Sequence, residues 1–180
     1  MKFHPTIFED VWLIELSPHV TPLGYLARSY CEETFRARGL QSEWPQCNEA
    51  LTPSRGSLRG MHWQAEPHAE TKLVRCLHGA VFDVVVDVRP RSPTFGQHQS
   101  FELSADNLLQ LYIPCGFAHG YQTLTDHCVL HYQMGAPFNA DTARGFRWSD
   151  PEVGIRWPLP AGLVSDRDKN LPLLRSLFEF

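Results

Sequence analysis

"VFDVVVDV" (81–88) alternates small apolar and acidic residues with period two, and the run stops at "RPRSPTFG" (89–96). That is the pattern of a β-strand followed by a proline-rich break. Downstream, "HQSFEL" (98–103), "LLQLYI" (108–113), "HGYQTL" (119–124) and "HCVLHYQM" (127–134) repeat it, separated by the turn signals "SADN", "PCGF" and "TD". Upstream, "LRGMHWQ" (58–64) reads as a further, buried strand with a histidine between two large apolar residues. One strand about every ten residues is what an antiparallel sandwich or barrel produces. Helical pattern is scarce. "SYCEETFRARGL" (29–40) predicts one short helix ending at Gly39, and the last dozen residues predict another. No repeat, low-complexity segment or long linker interrupts the chain, so residues 1–180 are expected to form one all-β domain with a few short helices.

Composition narrows the function classes. A chain of 180 residues with 43% hydrophobic content is long enough for one sizeable core. A net charge of -4 without a basic run argues against nucleic acid or an anionic membrane as partner, but leaves room for an anionic ligand in one basic pocket. The opening "MKFHPTIFEDVWLIEL" carries acidic residues where a signal peptide needs an apolar stretch, and no apolar run approaches a membrane span. A cytoplasmic protein is expected. The five cysteines (Cys31, Cys47, Cys76, Cys115, Cys128) are odd in number and never form a C-x-x-C pair. They read as reduced, mostly packing thiols, and their spacing does not suit a zinc site.

Five polar residues on or beside the strands carry potential chemistry: Arg59, His62, Lys72, His119 and Tyr132. Each has an ordinary explanation. A histidine in an apolar strand is most often a hydrogen-bonded structural residue, Arg59 and Lys72 suit a solvated face, and Tyr132 suits a core with its hydroxyl tied to the backbone. Strand parity also sets Arg59 and His62, three residues apart, on opposite faces unless a bulge at Gly60 resets the alternation.

Their conjunction is more specific. "SLRGMHWQ", "TKLVRCLHGAVFDVVVDVRPRSPTFG", "ELSADNLLQLYIPCGFAHGY", "RGFRWSDPEVGIRWP" and "LVSDRDKNLPLL" resemble, in order and spacing, the successive motifs of the dTDP-4-dehydrorhamnose 3,5-epimerases. The resemblance runs from about residue 3 to about residue 174. It implies a double-stranded β-helix (a cupin-like jelly roll) and a homodimer paired or exchanged through its N-terminal segment. It also implies an epimerase without metal or cofactor, acting on a nucleotide-linked 4-keto-6-deoxyhexose. Carried over by position, His62 matches the general base, Asp168 the carboxylate that orients it, and Tyr132 the acid on the opposite face. Arg59, Lys72 and His119 match pocket residues, and Gln46 and Asn48 match contacts to the nucleotide. Such chemistry suits these residue types. Removing a proton next to a ketone requires a base near neutral pKa and a cation aimed at the developing enolate oxygen.

Departures from the family pattern fall around this set. Where relatives carry D-x-R-G-F-F-x-E, this chain has "TPLGYLAR" (21–28), so Leu23, Leu26 and Arg28 replace an arginine, a phenylalanine and a glutamate, while Tyr25 keeps an aromatic. Cys47 stands in place of an acid. "YQMGAPF" (132–138) replaces Y-K-x-T-D-x-Y, which puts Phe138 where a tyrosine is usual. An altered nucleotide base, with cytosine the rival to thymine, and inversion of predominantly one centre are the expectations these changes raise. Two other classes compete. A metal-dependent cupin would use His62, Glu66, His68 and His119, though the H-x-H pair is broken by Gln64. A non-catalytic sugar-binding domain would have no need of an acid and a base together.

Overall fold

The computed structural model describes residues 1–178. Two antiparallel sheets face each other. The first has six strands: β1 (Lys2–Pro5), β2 (Trp12–Glu15), β5 (Gln46–Thr52), β7 (Lys72–His78), β10 (Leu109–Ile113) and β12 (Cys128–Met134), ordered β1-β2-β10-β7-β12-β5. The second has five: β6 (Leu58–Gln64), β8 (Ala80–Asp87), β9 (His98–Ser104), β11 (Phe117–Thr123) and β13 (Ala143–Gly145), ordered β13-β6-β11-β8-β9. A separate hairpin joins β3 (His19–Thr21) to β4 (Gly24–Leu26). The alternation between sheets along the chain gives the expected all-β jelly roll.

The apolar strands fill the gap between the sheets. Val81 and Val85 of β8 meet Val74 and Cys76 of β7, Leu111 of β10 and Leu130 of β12, all without solvent exposure. Each buried aliphatic side chain of this size stabilises the fold by about 1.5–3 kcal/mol relative to exposure. Alternation in β8 predicts one wet face, yet β8 is buried on both. Phe82, Val84 and Val86 pack outward beneath Phe146, Val153, Trp157 and Leu174 of the C-terminal segment, which wraps over the second sheet. Asp83 and Asp87 share the inward face of Val81 and Val85 and are fully buried. Asp87 is neutralised by Arg89, whose Nη2 lies 2.7 Å from its Oδ2, and it accepts from Ser92 and Thr94.

Among the described residues, helix is confined to α1 (Glu32–Arg36), α2 (Asp166–Lys169) and a 3-10 turn at Leu174–Leu177. The first lies inside the predicted 29–40 stretch, with Gly39 at φ 68 in the turn that follows. Its Phe35 anchors an aromatic cluster with Phe3, Tyr30, Trp44 and Tyr112 on the outer side of the six-stranded sheet. The last dozen residues supply only the short 3-10 turn, and the final two residues of that stretch lie outside the described range. The cysteines differ from expectation. All five are free, but only Cys76 and Cys128 are buried packing thiols, while Cys47 and Cys115 are exposed. Burial and the neighbouring Cys128 push the Cys76 thiol up to about 12.

Candidate active site

A cavity of about 680 Å³ opens between the two sheets, within the usual range for small-molecule sites. Strand β6 delivers Arg59 and His62 to it together. Along the β6–β11 pair, His62 stands opposite His119 and Arg59 opposite Tyr121, so β6 carries one residue more than β11 over this interval. The extra residue is a bulge at Gly60–Met61, and it removes the parity conflict between Arg59 and His62. Gly60 has φ 133, and a Cβ on it would lie 2.6 Å from the Gly120 Cα. No L side chain fits there.

His62 is fixed by a carboxylate. Its Nε2 lies 2.7 Å from Asp168 Oδ1, and the side chain keeps 35% of its exposure while Asp168 is buried. Asp168 is presented by the single turn of α2, whose N-cap Ser165 accepts from the Asp168 N–H. Its second oxygen accepts from the Gly60 N–H at 3.3 Å, so one carboxylate ties the histidine to the bulge. Burial works to raise this carboxyl, but the His62 hydrogen bond and charge, with the Gly60 N–H and Ser165, outweigh it and hold the group below the ordinary carboxylate range. An ionised Asp168 fixes the tautomer with Nε2–H, which leaves Nδ1 as the nitrogen able to accept a proton.

The opposing sheet supplies the other groups. Tyr132 of β12 and Lys72 of β7 line the same cavity from the six-stranded sheet. Burial first, then the neighbouring Tyr121 phenol and the Asp83 carboxylate, push the Tyr132 phenol well above its ordinary value. It therefore carries its proton. Lys72 is buried, with Nζ donating to the His62 carbonyl at 3.3 Å and pairing with Glu70 Oε1 at 3.1 Å. His119 lies on the wall beside His62, its Nε2 2.8 Å from Asp83 Oδ2, and both are buried.

Of the residues expected from the sequence, Arg59, His62, Lys72, His119, Tyr132 and Asp168 line this one cavity, and Asn48 of β5 joins them. Gln46, Phe138, Tyr25 and Arg28 are not among its lining residues. Gln46 bridges two of the named positions, its Oε1 accepting from the Phe138 N–H at 3.0 Å and its Nε2 donating to Asn48 Oδ1 at 3.4 Å. The Phe138 side chain is 60% exposed, and Tyr25 lies on the exposed β3–β4 hairpin. Sequence reasoning missed Asp83, Glu70, Thr52 and Tyr121. Asp83 was visible only as an acid sharing the strand parity of two core valines. Glu66 and His68, the further ligands of the metal alternative, are exposed and outside the cavity. Among the described residues, no three His, Cys, Asp or Glu side chains group as metal ligands.

Comparison with known proteins then decides the family. The family profile described as dTDP-4-dehydrorhamnose 3,5-epimerase matches residues 5–176. This chain belongs to that family. The dTDP-4-dehydrorhamnose 3,5-epimerase of Sinorhizobium fredii is 44% identical over 178 residues, covering 98% of this chain and 91% of the relative. The crystal structure of dTDP-4-dehydrorhamnose 3,5-epimerase from Bacillus anthracis, with TDP and PPi bound, superposes with a TM-score of 0.93. It is 38% identical, with 96% of this chain and 98% of that one covered. A 3'-monoepimerase from Streptomyces bikiniensis, in complex with dTDP-quinovose, gives a TM-score of 0.90 at 33% identity, covering 96% and 87% of the two chains. The dTDP-4-dehydrorhamnose 3,5-epimerase family consists of isomerases with the cupin-like jelly roll, and this chain is an enzyme of that class.

Proposed function

We propose that this protein epimerises a nucleotide-linked 4-keto-6-deoxyhexose at C3, C5 or both, with His62 as general base and Tyr132 as general acid. The observation that carries the reading is their placement. His62, held by Asp168 at 2.7 Å, projects from one sheet, and the protonated phenol of Tyr132 lines the cavity from the other. A sugar ring lying between them meets a base on one face and an acid on the opposite face, which inversion requires. His62 Nδ1 takes the proton from the carbon next to the ketone, and the electron pair moves onto the carbonyl oxygen as an enolate. Lys72 supplies the positive charge for that oxygen. Tyr132 then gives its proton to the same carbon from the other face, and the ketone reforms. A positioned acid or base of this kind contributes roughly 10²–10⁴-fold.

The protein acts in the cytoplasm as a homodimer, without metal or cofactor. Gln46, Asn48, Phe138, Tyr25 and Arg28 form the nucleotide end of the site, the last two through the N-terminal hairpin of a second copy. Support for a second copy comes from the hairpin itself, where Val20, Leu23 and Leu26 are 72%, 100% and 78% exposed. Phe138, lacking a hydroxyl, favours unequal turnover at the two carbons, an outcome consistent with the monoepimerase relative at 33% identity. The test is incubation with a dTDP-linked 4-keto-6-deoxyglucose and NMR analysis of the product, together with melting curves in dTDP, CDP, UDP and GDP. Inverted product and a melting temperature raised most by dTDP are expected. An unchanged sugar would overturn the proposed activity, and stabilisation by CDP in place of dTDP would reassign the base.

A further inference from the structure

Lys72 is paired with a buried acid that the proton transfers described so far do not use. Glu70 stands two residues before it, at the entry to β7. The backbone there is fixed on both sides. The Thr71 carbonyl accepts from the Gly135 N–H at 2.8 Å, and Lys72 lies in register with Met134 of β12 and Ile113 of β10. The Lys72 and Glu70 side chains are 9% and 6% exposed, with Nζ 3.1 Å from Oε1. The second carboxylate oxygen, Oε2, is buried and has no hydrogen-bond partner among the described residues. Lys72 lines the cavity, whereas Glu70 stands outside its lining.

Donor counting gives the pair a direction. An ammonium carries three N–H donors and accepts nothing. One donor goes to Glu70 Oε1 and one to the His62 carbonyl at 3.3 Å, which leaves the third for the cavity. Stability does not account for the acid. A buried ion pair is often no better than apolar side chains of similar volume, and an unpaired buried carboxylate oxygen adds a further cost. We infer that Glu70 is a positioning residue, holding the Lys72 ammonium against the His62 carbonyl so that its remaining N–H meets the enolate oxygen. The inference rests on Lys72 being the cation for that oxygen. Lysine reaches its target on a flexible four-carbon stem, and without an anchor behind it the charge would have to be ordered in every turnover. With Glu70 and the His62 carbonyl as its two anchors, the cation is in place before charge gathers on the ketone oxygen. The second anchor also belongs to the residue that removes the proton, so base and cation keep a fixed spacing.

Reach and charge at this position are separable by substitution. Glu70→Gln keeps an oxygen at the same reach without the charge. Glu70→Asp keeps the charge and withdraws the oxygen by one methylene, and Glu70→Met removes the acceptor at similar volume. The readout is deuterium uptake from deuterium oxide by a dTDP-linked 4-keto-6-deoxyglucose. Glu70→Asp and Glu70→Met are expected to lower its kcat about tenfold, with KM and the rise in melting temperature given by dTDP close to wild type. Glu70→Gln is expected to stay within about threefold of wild-type kcat. Wild-type kcat in Glu70→Asp and Glu70→Met, even with a lowered melting temperature, would mark the acid as structural and overturn the inference. A Glu70→Gln protein as slow as Glu70→Asp would overturn it as well. Should Glu70→Met fail to fold, the contrast between Glu70→Gln and Glu70→Asp decides by itself. If wild-type protein takes up no deuterium, it is the proposed activity that fails, and if Lys72→Met exchanges as fast as wild type, it is the role of Lys72.

Discussion

A single carboxylate, Asp168, ties His62 to the bulge of β6. It meets His62 at 2.7 Å with one oxygen and the Gly60 N–H at 3.3 Å with the other. Asp168→Asn retains a similar shape but removes the charge that favours the imidazolium, and an amide can present its NH2 to the histidine and upset the tautomer. Epimerase kcat/KM is expected to fall about 10²-fold, less than for His62→Asn, in steady-state assays. The same group links the site to acid stability. Its carboxyl titrates lower in the folded chain than in the unfolded chain. The stability this contributes is therefore present above the unfolded value of about 3.9 and is lost as pH falls through the folded value. The difference in melting temperature between wild type and Asp168→Asn should accordingly be largest near neutral pH and shrink below about pH 4. A difference that grew on acidification would contradict this assignment.

At the scale of elements, the bulge in β6 is what brings Arg59 and His62 of one strand into the same cavity. Gly60 sits at φ 133 with no room for a Cβ against Gly120. Gly60→Ala therefore has to move β6 away from β11 or flatten the bulge, and flattening turns Arg59 or His62 out of the cavity. Expected is a destabilisation of about 2 kcal/mol or more, by urea denaturation, with loss of most activity in the protein that remains folded. Much at this scale was legible in the residues. "LRGMHWQ" is β6 from end to end, and the four runs after residue 97 fall within one or two residues of β9 to β12. The first half of the sheet pairing was less visible. "QCNEALT" of β5 lacks an apolar alternation because the face turned to the cavity carries Asn48, Ala50 and Thr52 in place of large apolar residues, and with it went Thr52. Asp83 and Tyr121 were hidden for the opposite reason. An acid in an alternating strand suggests solvent and an aromatic suggests core, whereas Asp83 is buried against His119 and Tyr121 lines the cavity between the sheets. Only pairing to His119 and Thr52, across strands distant in sequence, reveals them.

For the molecule as a whole, the N-terminal segment divides into two parts with different roles. Strands β1 and β2 extend the six-stranded sheet, Ile14 being fully buried, so removing the first thirty residues would break the fold. The β3–β4 hairpin beyond them contributes no residue to any described core cluster and exposes Val20, Leu23 and Leu26. Charging this hairpin, as in Leu23→Asp with Leu26→Asp, separates assembly from folding. The double variant is expected to retain its melting transition, to run as a monomer in light scattering where wild type is expected to run as a dimer, and to bind dTDP more weakly. An unaltered dimer with unaltered affinity would remove the hairpin from the interface. No described helix is long and apolar enough to cross a membrane.

The central claim is that His62 removes a proton from the carbon beside the ketone. It is tested most directly by incubating wild type and His62→Asn with a dTDP-linked 4-keto-6-deoxyhexose in deuterium oxide and following deuterium at C3 and C5 by NMR. The expected result is incorporation with wild type, faster at one carbon than at the other, and incorporation reduced by at least about 10²-fold with a folded His62→Asn protein. Deuterium uptake by His62→Asn at a rate close to that of wild type would contradict the account.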